Sequence, residues 1–283
     1  MSAFFVLKKS KSHLPFEMDE TIFEIERFKS LLEGTCADWQ VKFTAKTGST
    51  NSDLKLYPAQ LLETPLVLIA DEQLGGRGQL QKKWVANSGE NILCSIAVKP
   101  KKNNGLQLLG LLKAVSIAEA MSKLNFTSQI EIKWPNDVLI NGKKVAGILV
   151  ETQYVANRAE KVIIGFGINV NQSDFTDELK ESATSLVNEL KVKTARESFL
   201  ASILNTFAIW FELWEDEDPA ILSAIHSKLA GFEMYVNLRT IDGKQLYPKV
   251  WFLGVDLNGR LGILDENGEQ KWFEHEQLRV ERI

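Results

Sequence analysis

Apolar positions along this chain recur with two different periods. Between Val41 and about Val170, short runs rich in β-branched residues alternate with polar breaks. They predict strands over 41–45, 66–70, 91–98, 130–133, 138–140, 145–151 and 162–170. A helical period interrupts them over 105–124, where Leu108, Leu109, Leu112, Val115, Ile117 and Met121 crowd one side. A second helix is predicted over 194–214, opened by a Thr194/Glu197 capping box and carrying Phe199, Leu200, Ile203, Phe207, Trp210 and Trp214. Thr21 and Glu24 form a similar box ahead of Ile25, Phe28, Leu31 and Leu32, so one amphipathic helix is expected in the first forty residues. Asn141-Gly142 between two apolar runs is the signature of a two-residue hairpin, and it makes the sheet largely antiparallel. A parallel nucleotide-binding fold would repeat strand and helix alternately instead. After Asp218-Pro219 a shorter helix is expected to reach Leu229. Beyond it Gly243, Gly254, Gly259, Gly262 and Gly268 punctuate short runs that read as a small β-barrel. The expected organisation is an extension with one helix (1–40), an α+β domain with a mixed, largely antiparallel sheet and packed helices (41–230), and the small barrel (231–283).

Composition narrows the function. The 283 residues hold 33 Lys+Arg against 37 Asp+Glu, a formal charge of −4, with 45% apolar residues, which is ordinary for a globular protein. No run approaches the roughly 18 apolar residues of a membrane span, and Met1 to Pro15 lacks a signal-type apolar core, so a cytoplasmic protein with no membrane partner is expected. Cys36 and Cys94 do not form a spaced zinc set, and His13, His226 and His275 are isolated. Metal hydrolases and Ser-His-Asp enzymes are poor fits. Lys8, Lys9 and Lys11 could face nucleic acid, but the acidic balance favours a solvated terminus and no nucleic-acid partner.

Three segments could carry chemistry. The phosphate-cradling GxxxxGK[ST] loop is absent, and Gly165-Phe166-Gly167 lacks the third glycine and the helix of a dinucleotide fingerprint. Gly75-Gly76-Arg77-Gly78, followed by Lys82, Lys83 and Trp84, reads either as an anion-binding nest of bare N–H groups or as a surface turn. Lys133-Trp134-Pro135-Asn136-Asp137 reads either as a tight turn or as a phosphate and Mg²⁺ contact, with Lys144 just past the adjoining hairpin.

Taken in order, Thr47-Gly48-Ser49-Thr50-Asn51, Gly76-Arg77-Gly78 with Trp84, Lys133-Trp134-Pro135-Asn136-Asp137, Lys143-Lys144-Val145-Ala146-Gly147 through Glu151, and Gly165-Phe166-Gly167-Ile168-Asn169 resemble the biotin protein ligases. The resemblance runs from about Val41 to Leu186, where Ala183-Thr184-Ser185-Leu186 looks like a family helix end. It implies the class II synthetase-like ligase fold with an SH3-like C-terminal barrel. It also implies a two-step reaction: biotin and ATP, with Mg²⁺, give biotinyl-5′-AMP, and biotin then passes to a lysine of a biotin carboxyl carrier protein or domain. Neither step needs a protein nucleophile.

Carried over by position, the resemblance makes Ser49, Thr50, Asn51 and Gln73 the biotin end, with Gly147 lining the tail channel. Gly76 and Arg77 begin the covering loop, and Lys144 bridges carboxylate and α-phosphate. Arg77, Gly78, Lys82, Trp84, Lys133, Asn136, Asp137 and Asn169 serve ATP and the adenylate, and Asp137 contacts the metal. A Ser49 helix cap is compatible with these roles. Homodimers are frequent in the family, with an exposed edge strand as the expected seam. With no winged helix ahead of the catalytic region, no repressor function is expected.

The family loop reads Gly-Arg-Gly-Arg-x-Gly-Arg-x-Trp; here Gln79, Gln81 and Lys82 replace an arginine, a glycine and an arginine. Two alternatives differ in class: a lipoyl or octanoyl transferase of the same superfold, and a biotin- or adenylate-binding protein without ligase activity. Ser49, Thr50 and Gln73 oppose the first, since a lipoyl tail wants apolar walls. Lys144 and Asp137 oppose the second.

Overall fold

The computed structural model describes residues 23–79, 82–124, 128–275 and 277–282. Thr21, the basic cluster at Lys8, Lys9 and Lys11, and loop position Gln81 lie outside the described residues. The larger sheet comprises β1 (Gln40–Thr47), β2 (Leu66–Gln73), β3 (Ile92–Val98), β4 (Ile130–Lys133), β5 (Asp137–Ile140), β6 (Lys143–Val155) and β7 (Arg158–Ile168). Its order is β1-β2-β3-β7-β6-β5-β4, parallel between β1 and β2 and antiparallel elsewhere. Asn141 and Gly142 turn β5 into β6 with φ of 49° and 82°, the left-handed pair that such a hairpin needs. The helices are α1 (Ile25–Lys29), α2 (Thr50–Leu56), α3 (Leu108–Ser122), α4 (Leu186–Leu190), α5 (Arg196–Glu215) and α6 (Ala220–His226). The second sheet, β8 (Tyr235–Thr240), β9 (Gln245–Val255), β10 (Leu261–Leu264), β11 (Gln270–Phe273) and β12 (Leu278–Arg282), is wholly antiparallel in the order β11-β10-β9-β8-β12. The α+β class, with a largely antiparallel sheet and a small C-terminal β unit, is the one expected. Strand β12 escaped the sequence reading because its alternation is only five residues long.

Strand period two decides which residues meet the helices. Val67 and Ile69, then Ile92, Cys94, Ile96 and Val98, then Val162, Ile164, Phe166 and Ile168 join one core beneath α3 and α5. Their neighbours Leu66, Leu68, Ala97 and Ile163 point the other way, onto Leu54 of α2. Both faces are covered, which is why β2 and β3 read as unbroken apolar runs rather than alternating ones. Phe23, Phe28, Leu32, Cys36 and Trp39 also belong to the core under α5.

The expected Thr194/Glu197 capping box does not form. Helix α5 starts at Arg196 behind Ala195 with no side-chain cap, because Glu197 accepts the Glu24 N–H instead and Asn171 holds both backbone groups of Thr194. The segment around Thr184 is a helix start: Ser185 Oγ accepts Asn188 N–H at the head of α4. Among the described residues, no helix is long and apolar enough to cross a membrane.

Candidate functional site

The same period builds a cavity on the α2 face. Cross-strand pairing sets Gly147 beside Gly167 and Leu93, and Leu149 beside Gly165 and Ser95. Three of these six carry no side chain, so the floor is bare backbone that other groups can approach. A Cβ on Gly165 would stand 2.0 Å from Asn51 Oδ1, and one on Gly167 2.4 Å from the Trp84 ring. The cavity holds about 270 Å³.

At one end α2 presents its first turn. Ser49 is the N-cap residue by backbone, but its hydroxyl makes no cap hydrogen bond. Gln73 Oε1 accepts Thr50 N–H at 2.7 Å, which leaves the Gln73 amide N–H groups for the cavity. Ser95 Oγ donates to Asn51 Oδ1 at 2.6 Å and so receives from Thr50 Oγ1, also at 2.6 Å. Asn51 Nδ2 donates to Glu151 Oε2 at 2.8 Å, so the Asn51 carboxamide is committed at both ends. Its place is that of a strut in the wall. Lys161, buried on β7, donates to Leu54 O at 2.7 Å and closes the C-terminal end of α2, fixing that turn from below.

The described parts of the loop after β2, residues 76–79 and 82–84, are hydrogen-bonded to each other. Trp84 N–H donates to Gly76 O, Gly78 N–H to Lys82 O and Lys82 N–H to Gln79 O. Of the two readings of Gly75–Gly78, the turn fits better: Gly75 N–H goes to Gly48 O, Gly78 N–H to Lys82 O, and none of the three glycines adopts left-handed backbone. Gly76 is glycine for another reason, since a Cβ there would lie 2.8 Å from Trp84 O. Trp84 lies over Gly147 and Gly167 with its indole N–H buried and without a partner.

At the other end Lys144 Nζ stands 2.6 Å from Asp137 Oδ1, yet that buried oxygen lacks a well-directed hydrogen bond. Asn136 ties the turn down, donating to Ile148 O at 2.6 Å while Ile148 N–H returns to Asn136 O. Asn169 Nδ2 donates to Thr184 O, and Lys144 pairs with Ala183 as a bridge, so the 182–186 segment flanks the lysine. Arg279 from β12 also lines this end. Burial lowers its guanidinium from the ordinary value, and the charge of Asp137 opposes that. Trp134 Nε1 donates to Gly259 O at 3.2 Å, fastening the turn to the second sheet.

The fold therefore brings Ser49, Thr50, Asn51, Gln73, Arg77, Gly78, Lys82, Trp84, Asn136, Asp137, Lys144, Gly147 and Asn169 to one cavity. Gly76 stands behind Trp84. Lys133 does not line the cavity; it pairs with Asp137 one strand further out, on β4. Sequence reasoning missed Ser95, a lone serine in an apolar strand, and Arg279, which no motif surrounds. Among the described residues no three metal-ligating side chains cluster, so a metal here would rest on Asp137 and on ligand oxygens.

Residues 42–169 match the biotin/lipoate A/B protein ligase family. The bifunctional ligase/repressor BirA of Bacillus spizizenii is 36% identical over 214 residues, covering 73% of this chain and 64% of that protein. The chain thus spans a little under two thirds of that relative's length. The biotin--[acetyl-CoA-carboxylase] ligase of Mycobacterium tuberculosis is 31% identical over 198 residues, 67% of this chain and 71% of that one. Among solved structures, a biotin protein ligase from Aquifex aeolicus in complex with biotin and ATP matches with a TM-score of 0.74 and 26% identity, over 86% of this chain and 99% of its own. With the motifs gathered around one cavity and relatives this similar over most of their length, the chain belongs to the biotin/lipoate A/B protein ligase family.

Proposed function

We propose that the chain is an ATP-dependent ligase that makes biotinyl-5′-AMP and passes the biotin to a lysine of a biotin carboxyl carrier protein or domain. One observation carries this reading: a single glycine-floored cavity has amide and hydroxyl groups at one end and the Lys144–Asp137 pair at the other. A ureido ring offers both donors and acceptors, which suit Gln73, Ser49 and the Thr50–Ser95 relay. A lipoyl ring would leave those buried groups unpaired.

In the first step a biotin carboxylate oxygen attacks the α-phosphorus, the bond to the bridging oxygen breaks, and pyrophosphate leaves. Lys144 stabilises the charge that develops between the two reactants, and Arg279 adds a second cation. Asp137, whose buried oxygen is under-satisfied, would hold Mg²⁺ together with phosphate oxygens, and the ion would neutralise phosphate charge. Arg77, Gly78 and Lys82 cover the adenylate, the Trp84 N–H supplies a donor, Asn136 and Asn169 hold the walls, and Lys133 contributes field from outside. In the second step the carrier's lysine amine attacks the acyl carbon, AMP departs, and the amine gives up a proton.

Residues 41–230 would form the catalytic unit and 231–283 the small domain that supplies Arg279. A homodimer built by strand addition would use β1, because the outer edge of β4 is taken by backbone bonds with Lys228 and Ala230. The deciding experiment incubates the purified protein with biotin and MgATP. Biotin-dependent pyrophosphate release, and streptavidin-detected labelling of an added carrier domain, are expected; no release over an ATP-only control would refute the proposal.

A further inference from the structure

Ser95 is a lone hydroxyl in the apolar run of β3, fully buried yet lining the cavity. Its strand pairs it with Leu68 on one side and Gly165 on the other, and the missing Gly165 side chain leaves room for the first turn of α2 to reach it. A hydroxyl has one proton to give, so its neighbours decide where that proton points. Asn51 Nδ2 faces Glu151 Oε2 at 2.8 Å and Leu149 O at 3.4 Å. Neither the carboxylate, which also takes Lys55 Nζ, nor the carbonyl has a proton to offer. The Asn51 amide must therefore turn its amino group to them and its oxygen to Ser95. Ser95 Oγ then donates to Asn51 Oδ1 and accepts from Thr50 Oγ1, both at 2.6 Å.

Thr50 has given its only hydroxyl proton to Ser95, so toward the cavity that hydroxyl can only accept. Gln73, whose Oε1 takes Thr50 N–H at 2.7 Å, turns its amide N–H groups there. We infer that Ser95 is a positioning residue that sets ligand choice: it aims the Thr50 proton away from the cavity, so that this end takes a ring N–H and rejects a ring oxygen in the same place. The inference rests on the proposed function for the nature of the ring, and it adds which side chain separates a cyclic urea from its isosteres. With an oxygen in place of the N–H, two lone pairs would face each other, and a buried acceptor without a proton costs more than an ordinary hydrogen bond returns. Without Ser95 the Thr50 proton could turn to Gln73 Oε1, 3.1 Å away, or to the ligand.

The test is calorimetric titration with biotin and with its two carbamate analogues, in which one ring N–H or the other is replaced by oxygen. In the wild type the more strongly rejected analogue should bind at least about 10²-fold more weakly than biotin. Ser95→Ala should narrow that ratio about tenfold, because the freed Thr50 hydroxyl can donate to the ligand oxygen. An unchanged ratio would overturn the inference even if all ligands bind more weakly, since Ser95 would then only pack. A wild type that binds all three ligands alike would overturn it too. In a Thr50→Val background Ser95→Ala should move the ratio less than about twofold; a shift as large as in the wild-type background would show that Ser95 does not act through Thr50.

If Ser95→Ala gives no folded protein by thermal melting, Ser95→Cys replaces it: a thiol is a weak donor, so a narrowed ratio is again expected and an unchanged one overturns the inference. A wild type that binds none of the three ligands would defeat the proposed function instead, and the relay would then be judged on the ligand-free protein. Ser95→Ala and Thr50→Val break the same hydrogen bond, so the double variant should lose clearly less melting temperature than the two single losses added together. Additive losses would overturn the relay.

Discussion

Lys144 and Asp137 pair at 2.6 Å in this ligand-free structure, and the proposed function gives each a distinct expectation. Lys144→Ala should keep the fold and lose roughly 10²–10³ in adenylate formation, about 3–4 kcal/mol for one preorganised cation. Pyrophosphate release reads it, and near-wild-type rates would remove Lys144 from the chemistry. Asp137→Asn should raise the Mg²⁺ requirement while biotin affinity without nucleotide stays put; an unchanged Mg²⁺ titration would dismiss Asp137 as a metal contact. Lys113 is a different case, a fully buried ammonium 3.6 Å from the Phe207 ring centroid and without a hydrogen-bond partner. Burial pushes it down to about 7 from 10.5. The neighbouring Cys36 and Cys94 thiols, pushed up to about 12, offer no counter-charge at neutral pH. Between those two Lys113 values the unfolded chain holds a proton that the folded one does not, so stability rises with pH across the window and the penalty is complete below about 7. Lys113→Met should therefore raise the melting temperature by about 2–5 °C at pH 6.5 and by less at pH 9. An equal difference at both would mean that the folded chain keeps the Lys113 amine protonated across that range, as the unfolded chain does.

Among elements, the loop from Gly76 to Trp84 departs furthest from its family pattern. Gln79 lines the cavity and offers a neutral carboxamide where an arginine would make paired charged bonds to phosphate. Adenylate should leak: with biotin and MgATP the protein should label a bystander protein, and Gln79→Arg should suppress that labelling while sparing the carrier. A wild type as silent as a no-enzyme blot would show that other contacts retain the intermediate. The strands and the Asn141-Gly142 hairpin were legible because apolar period and turn chemistry are local properties. The motif residues were legible because their order along the chain resembles a family. What stayed hidden depends on distant pairing. Ser95 acquires its role only when β3 meets α2, the Gly75 and Gly78 N–H groups go to Gly48 and Lys82, and Glu197 leaves its expected cap for Glu24. No local pattern announces such partners.

On the scale of the molecule, one buried ion pair ties the layers together. Arg196 Nη1 lies 2.7 Å from Asp71 Oδ1, with side-chain exposures of 5% and 9%, and it also donates to Asn91 O. It thereby joins α5 to β2 and to the start of β3. Arg196→Met leaves an uncompensated carboxylate in the core and should cost about 3–5 kcal/mol, read as a lower urea midpoint. A loss under about 1 kcal/mol would mean that Asp71 finds another partner or a proton. The cavity is also spread far along the chain, from Ser49 on α2 to Arg279 on β12. A ribosome adds roughly 5–20 residues per second, so every group from Ser49 to Asn169 emerges on the order of ten seconds before Arg279 does. A nascent polypeptide would pass through an interval in which it can hold the vitamin without its full complement of cations for activating it. On the proposed function, the second sheet would then set the moment at which the site is complete, after most of its lining has left the ribosome.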